Sequence, residues 1–151
     1  MKKILFLCHG NICRSPMAEF IMKKMAAEAG MEDSLMIESA ATSREEIGND
    51  LYPPAQRCLR SHGVPFTRRR ARQVTAADYE AFDLIVIMEE YNRRNLRRII
   101  PDDPEDKVHT LMSYTGHDRD VADPWYTDDF ETAYDDILRG CTALLNVLRK
   151  Q

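Results

Sequence analysis

Short apolar runs alternate with stretches of helical spacing along the whole chain, and this alternation limits the fold more than any other feature. Residues 3–7 (Lys-Ile-Leu-Phe-Leu) and Leu84–Met88 read as buried strands, with Leu35–Ile37 and Val108–Met112 as two more. Between them lie amphipathic stretches. Ala18, Ile21, Met22, Met25 and Ala29 recur at helical spacing and Gly30 closes that helix. Ala55, Cys58, Leu59 and His62 share a second face ending at Gly63, and Thr75-x-x-Asp78 is a capping signal for a short third helix. Glu89–Ile100 reads as a helix stopped by Pro101. Phe130 to Leu148 forms one long apolar stripe, with Asp128-x-x-Glu131 at its head. Strands alternating with helices predict an α/β fold: a four-stranded parallel sheet with helices on both faces. Ligands in such sheets bind beyond the carboxyl ends of the strands.

The length of 151 residues predicts a single domain, residues 1–151, able to bury a core without a disulfide or metal staple. Hydrophobic residues make up 44% and charged residues 30%, the profile of a folded globular chain. The net charge of −4 argues against a dedicated nucleic-acid binder. The basic runs Arg68-Arg69-Arg70-x-Arg72, Arg93-Arg94 and Arg97-Arg98 read as solvated faces. No apolar run approaches the ~20 residues of a membrane span, so no membrane partner is expected. The first eight residues imitate a signal peptide, but their apolar stretch is too short. Four cysteines make no disulfide scaffold, and the expectation is a cytoplasmic chain with reduced thiols.

The chemistry concentrates in Cys8-His9-Gly10-Asn11-Ile12-Cys13-Arg14-Ser15-Pro16, between the first strand and the first helix. Ser15 reads as the helix cap and Pro16 as its first residue. Five residues between Cys8 and Arg14 suffice for a loop whose amides turn inward. The helix N-terminus and the Arg14 fork then complete a cradle for a tetrahedral oxyanion. Gly10 and Asn11 tolerate the left-handed angles that a tight curl needs. In that field the Cys8 thiol is expected to ionise below the ~8.5 of a free cysteine and to act as a nucleophile toward phosphorus. A zinc site on Cys8 and Cys13 is disfavoured, because no second cysteine pair supplies the remaining ligands. A Walker loop is excluded by the missing Gly-Lys-Ser/Thr. The polar stretch from Ser39 to Pro54 and the segment Thr115–Tyr126 read as long loops.

The Cys8–Pro16 segment resembles the signature of the low-molecular-weight protein tyrosine phosphatases. The resemblance extends over almost the whole chain through Ser39-Ala40-Ala41-Thr42-Ser43, Ser61-His62-Gly63, Ala71-Arg72-Gln73, Asp83–Met88 and Asp123-Pro124-Trp125-Tyr126. It implies the same four-stranded fold and a phosphotyrosine phosphatase working through a phosphocysteine on Cys8, without cofactor or metal. It implies that the loop residues His9 to Arg14 bind phosphate and that Asp123 is the general acid and base, with Pro124 holding Asp123 in an extended backbone. Ser15 would donate to the Cys8 thiolate, and Asn11, Ser39 and His62 would brace the loop. Ile12, Trp125, Tyr126 and the position of Glu45 would line the slot for the substrate ring. Within the resemblance, Ile12 favours phosphotyrosine over phosphoarginine. Arg44-Glu45-Glu46 departs from the aromatic residue common at that place, which opens the slot and disfavours acidic substrates. Cys13 would be a redox partner for Cys8, while Cys58 and Cys141 read as core residues. The implied partner is a phosphotyrosine-containing protein, a tyrosine kinase being one candidate. Two other readings compete: an arsenate reductase on the same scaffold, which lacks its further cysteines in Met88-Glu89-Glu90-Tyr91-Asn92, and a silent phosphate-binding module, which would not need Cys8, Arg14 and Asp123 together.

Overall fold

A computed structural model describes residues 1–151. The four apolar runs become strands β1 (Lys2–Cys8), β2 (Leu35–Ala41), β3 (Leu84–Ile87) and β4 (Val108–Thr110), all parallel, in the order β2-β1-β3-β4. The chain leaves β1 toward β2 and later returns to the other side of β1 with β3. The switch point between β1 and β3 therefore opens at the carboxyl ends of both strands, directly above Cys8.

Side chains alternate across β1, and each face builds its own core. Ile4 and Phe6 pack with α1 (Arg14–Glu28), α2 (Pro53–Ser61) and α6 (Phe130–Arg149). Leu5 and Leu7 pack with Ile85, Ile87, Val74 and Phe82, with Tyr79 of α3 (Ala76–Ala81) and with Leu96 of α4 (Glu90–Leu96). A four-residue helix, α5 (Pro124–Thr127), precedes α6. Helices on both faces satisfy the need of a parallel sheet to be covered on each side. No helix is long and apolar enough to cross a membrane.

Several boundaries depart from the sequence reading. Strand β2 continues through Ser39 to Ala41, where a loop was expected, because its backbone stays in register with β1 from Lys2↔Leu35 to Cys8↔Ala41. Pro53 and Pro54 open α2 instead of belonging to that loop, since the first helical turn needs no amide donors from them. Helix α4 ends at Leu96, short of Ile100, and β4 gives way after Thr110 to a 3₁₀ turn over Leu111–Thr115. Trp125 and Tyr126 lie in α5, not in a loop. The cap of α6 is Asp129, whose carboxylate accepts the Thr132 amide at 3.0 Å, while Asp128 takes a left-handed backbone with φ 61°. Thr75 and Asp78 form the expected capping box. Ser15 is not a cap: Cys13 holds that position and Ser15 lies inside the first turn.

Candidate active site

Sequence order places Cys8 at the last residue of a central strand, so its side chain emerges at the floor of the opening between β1 and β3. The loop to Arg14 then curls back over it. The amide of Asn11 donates to Cys8 Sγ at 3.3 Å, and Ser15 Oγ lies 3.0 Å from the same sulfur. This second contact explains why Ser15 does not cap its helix: the hydroxyl is turned toward the thiol. Asn11 adopts the left-handed conformation expected of it, with φ 61°. Gly10 does not. Its requirement is space, because a Cβ there would stand 3.2 Å from Glu46 Cγ.

The loop is braced from outside. Asn11 Nδ2 donates to Ser15 Oγ at 2.9 Å and to Ser39 Oγ at 3.0 Å, and Ser39 in turn donates to Glu19 at 2.6 Å. Arg69 Nη2 donates to both the carbonyl and the side-chain oxygen of Asn11, each at 2.6 Å. The Arg72 amide reaches the same side-chain oxygen at 3.3 Å. Asn11 is completely buried, so these bonds satisfy groups that water cannot reach. The sequence reading assigned His62 to this brace, and the structure corrects it. His62 sits at the end of α2, 2.6 Å from Glu131 and stacked on Tyr134, and makes no hydrogen bond with Asn11 or Ser39. Arg69 and Glu19 do that work instead. Arg69 was read only as part of a basic run, and its neighbour Arg72 likewise turns inward, pairing with Asp78 at 2.9 and 3.2 Å.

Arg14 is 3% exposed and carries three restraints. Its guanidinium donates to the Val121 carbonyl at 3.1 Å, to Glu89 at 3.0 Å and to Asp123 at 3.3 Å. Burial works against its charge, but the hydrogen bond it donates to Glu89 and the negative groups Cys8, Glu89 and Asp123 outweigh it and hold its pKa above the usual value. Glu89, which sequence reasoning missed, caps α4, and its own amide and that of Met88 donate to Asn92. A short polar segment after a buried strand was the only local signal for it.

Asp123 has the extended backbone expected of a residue before proline, with φ −92° and ψ 105°. Its carboxylate accepts the Trp125 amide at 3.0 Å. The segment leading to it is tied down twice: the Val121 amide donates to Met88 at the end of β3, and the Ala122 amide donates to Asp136 of α6.

Cys8, His9, Gly10, Ile12, Cys13 and Arg14 line a cleft of about 620 Å³. Glu45, Glu46, Glu89, Tyr91, Asp123, Trp125 and Tyr126 complete its walls. The structure thus gathers the sequence-predicted acid, slot residues and phosphate loop around one opening, except Asn11, which is buried behind the loop, and adds Glu46, Glu89 and Tyr91. Glu45 lies 2.8 Å from His9 Nε2. Trp125 and Tyr126 are 53% and 85% exposed, and the Trp125 ring packs 5.1 Å from Tyr52. The Cys13 thiol is pushed up to about 12, first by burial and then by the charges of Cys8 and Asp123, so it is a thiol at neutral pH. A buried sulfur, a guanidinium held in place by Val121, Glu89 and Asp123, and a carboxylate facing one cleft can bind a dianion, attack it in line and supply a proton to what leaves.

The comparisons with known proteins agree with this arrangement. The family model described as low molecular weight phosphotyrosine protein phosphatase matches residues 3–151. A chicken (Gallus gallus) protein of that name is 40% identical over 150 residues, covering 96% of this chain and 94% of the relative. The crystal structure of YfkJ from Bacillus subtilis superposes with a TM-score of 0.95 at 38% identity, over 99% of this chain and 96% of that one. A Drosophila arginine phosphatase superposes with a TM-score of 0.87 at 30% identity, over 98% of both chains.

Proposed function

The chain belongs to the low molecular weight phosphotyrosine protein phosphatase family, and from that premise we propose that it hydrolyses phosphotyrosine in proteins through a phosphocysteine on Cys8. The observation that carries this reading is the shared cleft: Cys8, Arg14 and Asp123, remote in sequence, line the same opening.

The phosphate dianion enters the loop and is held by inward amides and by the Arg14 fork, whose hold strengthens as charge builds on the equatorial oxygens. The Cys8 thiolate attacks phosphorus while the phosphorus–oxygen bond to the ring breaks. Asp123 gives its proton to the departing phenolate oxygen. Water then attacks the phosphocysteine, Asp123 takes a proton from that water, and the sulfur–phosphorus bond breaks to release phosphate and the thiolate. Ser15, at 3.0 Å from the sulfur, stabilises the thiolate as nucleophile and as leaving group. Trp125, Tyr126 and Ile12 offer flat and apolar surface to the substrate ring.

A redox guard is the second element of the proposal. Peroxide oxidises Cys8 to a sulfenic acid, and the Cys13 sulfur displaces water from it to form a disulfide that a thiol reductant reopens. The guard fails if Cys13→Ser recovers from peroxide as fully as the wild type on addition of dithiothreitol. The substrate protein, a tyrosine kinase being one candidate, and a cytoplasmic location with four free thiols complete the reading.

The likeness to an arginine phosphatase supplies the competing substrate. Rates measured side by side on a phosphotyrosine peptide, a phosphoarginine protein and arsenate decide. We expect phosphotyrosine to be turned over fastest and arsenate not to be reduced. Faster release of phosphate from phosphoarginine would transfer the assignment to that substrate.

A further inference from the structure

Away from the cleft, the end of α2 and the head of α6 bring together Cys58, His62 and Glu131, whose donor atoms all lie within 4.8 Å of one another. Glu131 makes the connection. One carboxylate oxygen accepts from the Cys58 thiol at 3.7 Å and the other lies 2.6 Å from His62 Nε2. The His62 ring is fixed by stacking on Tyr134, with centroids 3.8 Å apart and planes 10° from parallel. A histidine beside a glutamate on a surface is an ordinary ion pair. The buried thiol beneath it adds the third donor and changes the chemistry of the group.

We propose that Cys58, His62 and Glu131 form a binding site for a zinc-class divalent cation, separate from the catalytic cleft. Sulfur, imidazole nitrogen and carboxylate oxygen are the donors zinc prefers, and three protein ligands leave a fourth position for water. In a tetrahedral site, bonds of about 2.3 Å to sulfur and about 2.0 Å to nitrogen and oxygen put the sulfur about 3.5 Å from the oxygen and the nitrogen about 3.3 Å from it. The sulfur–oxygen spacing of 3.7 Å is close to that already. The 2.6 Å spacing belongs to the other carboxylate oxygen, so the exposed Glu131 side chain must rotate to present one oxygen to both the sulfur and the nitrogen, which then stands about 3.3 Å from that oxygen.

Coordination replaces the Cys58 proton, which leaves to solvent, by the cation. A thiolate is a soft donor, so hard oxygen-seeking cations such as magnesium gain little from it. The cation would clamp α2 to α6 one residue beyond Phe130. The Phe130 ring lies 6.1 Å from Tyr52, and Tyr52 lies 5.1 Å from Trp125 at the cleft mouth. Occupancy therefore bears on the segment that carries Asp123.

Titration of the chelator-treated protein with cobalt(II), followed by zinc competition, tests the site. We expect one equivalent of cobalt with a thiolate-to-metal charge-transfer band, displaced by zinc and retained in Cys8→Ser. His62→Ala and Glu131→Gln, both at exposed side chains, should weaken binding by more than the roughly 10–100-fold that loss of an outer partner costs. Cys58→Ser should remove the band, and if that variant does not fold, the two exposed variants decide alone. Absence of binding, a spectrum without thiolate character, loss of the band in Cys8→Ser, or wild-type affinity in His62→Ala and Glu131→Gln would each overturn the proposal.

Discussion

The two segments that meet at the cleft are built in opposite ways. The phosphate loop is buried: Asn11 is inaccessible to solvent, Arg14 is 3% exposed, and both are held by several hydrogen bonds from distant elements. The segment around Asp123 is held at its base by Met88 and Asp136, yet its far end, Trp125 and Tyr126, stands in solvent. The contrast matches the two tasks. Binding a dianion gains from donors fixed before the substrate arrives. In the proposed reaction the other wall stands open, which leaves a protein substrate room to approach Asp123.

Replacing Cys8 with Ser is the severest test and should lower kcat on aryl phosphates by on the order of 10⁴–10⁶. Phosphate release above that residue would show that the loop only binds. Asp123→Ala should lower kcat by on the order of 10²–10⁴. The loss should be larger for phenyl phosphate than for p-nitrophenyl phosphate, whose leaving group needs the proton less, and product phosphate should bind no more weakly. Equal losses on both substrates would remove Asp123 as the acid.

Arg69→Ala tests the buried side of the comparison. It orphans the Asn11 carbonyl and frees the loop, so turnover should fall roughly 10–100-fold and phosphate inhibition should weaken with it. Unchanged phosphate affinity would mean that the loop is stiff without its brace. Trp125→Ala tests the open side. KM for a phosphotyrosine peptide should rise about 2–10-fold, the scale of one aromatic contact, with kcat preserved.

The smallest effect concerns pH. Burial of Asp136 would raise its pKa, but hydrogen bonds from Arg119 and the Ala122 amide outweigh that and hold it below the ordinary carboxylate value. The folded state then binds fewer protons than the unfolded one. Its contribution to stability is complete above about pH 3.9 and is lost as pH falls through the lower folded value. Asp136→Asn should therefore melt earlier than wild type at neutral pH, with the gap closing in melts below about pH 3.9. A gap independent of pH would show that packing, not charge, anchors the acid segment there.

Much of the fold was legible because it is written locally. Apolar runs marked the strands, and the strand–loop–helix around Cys8 could be read from nine consecutive residues. What escaped was written across distance. Arg69 reaches Asn11 over 58 residues, Glu89 reaches Arg14 over 75, and Glu19 meets Ser39 from the opposite side of a turn. No periodicity reports such pairs. Two residues were misread for the same reason: Ser15 looked like a cap until Cys8 claimed its hydroxyl, and His62 looked like a brace until Glu131 and Tyr134 claimed its ring.

The position of Cys8 at the end of the first strand has a consequence for how the protein is made. Cys8 is made well before the Val121 carbonyl that completes the seat of Arg14, a residue 107 positions after Arg14 in the chain. At about 5–20 residues per second, that interval is roughly 5–20 s. Through all of it Arg14 lacks that restraint, and for most of it Cys8 also lacks the neighbouring strand β3. The loop around Cys8 therefore gains its full set of restraints only after Val121 has been made.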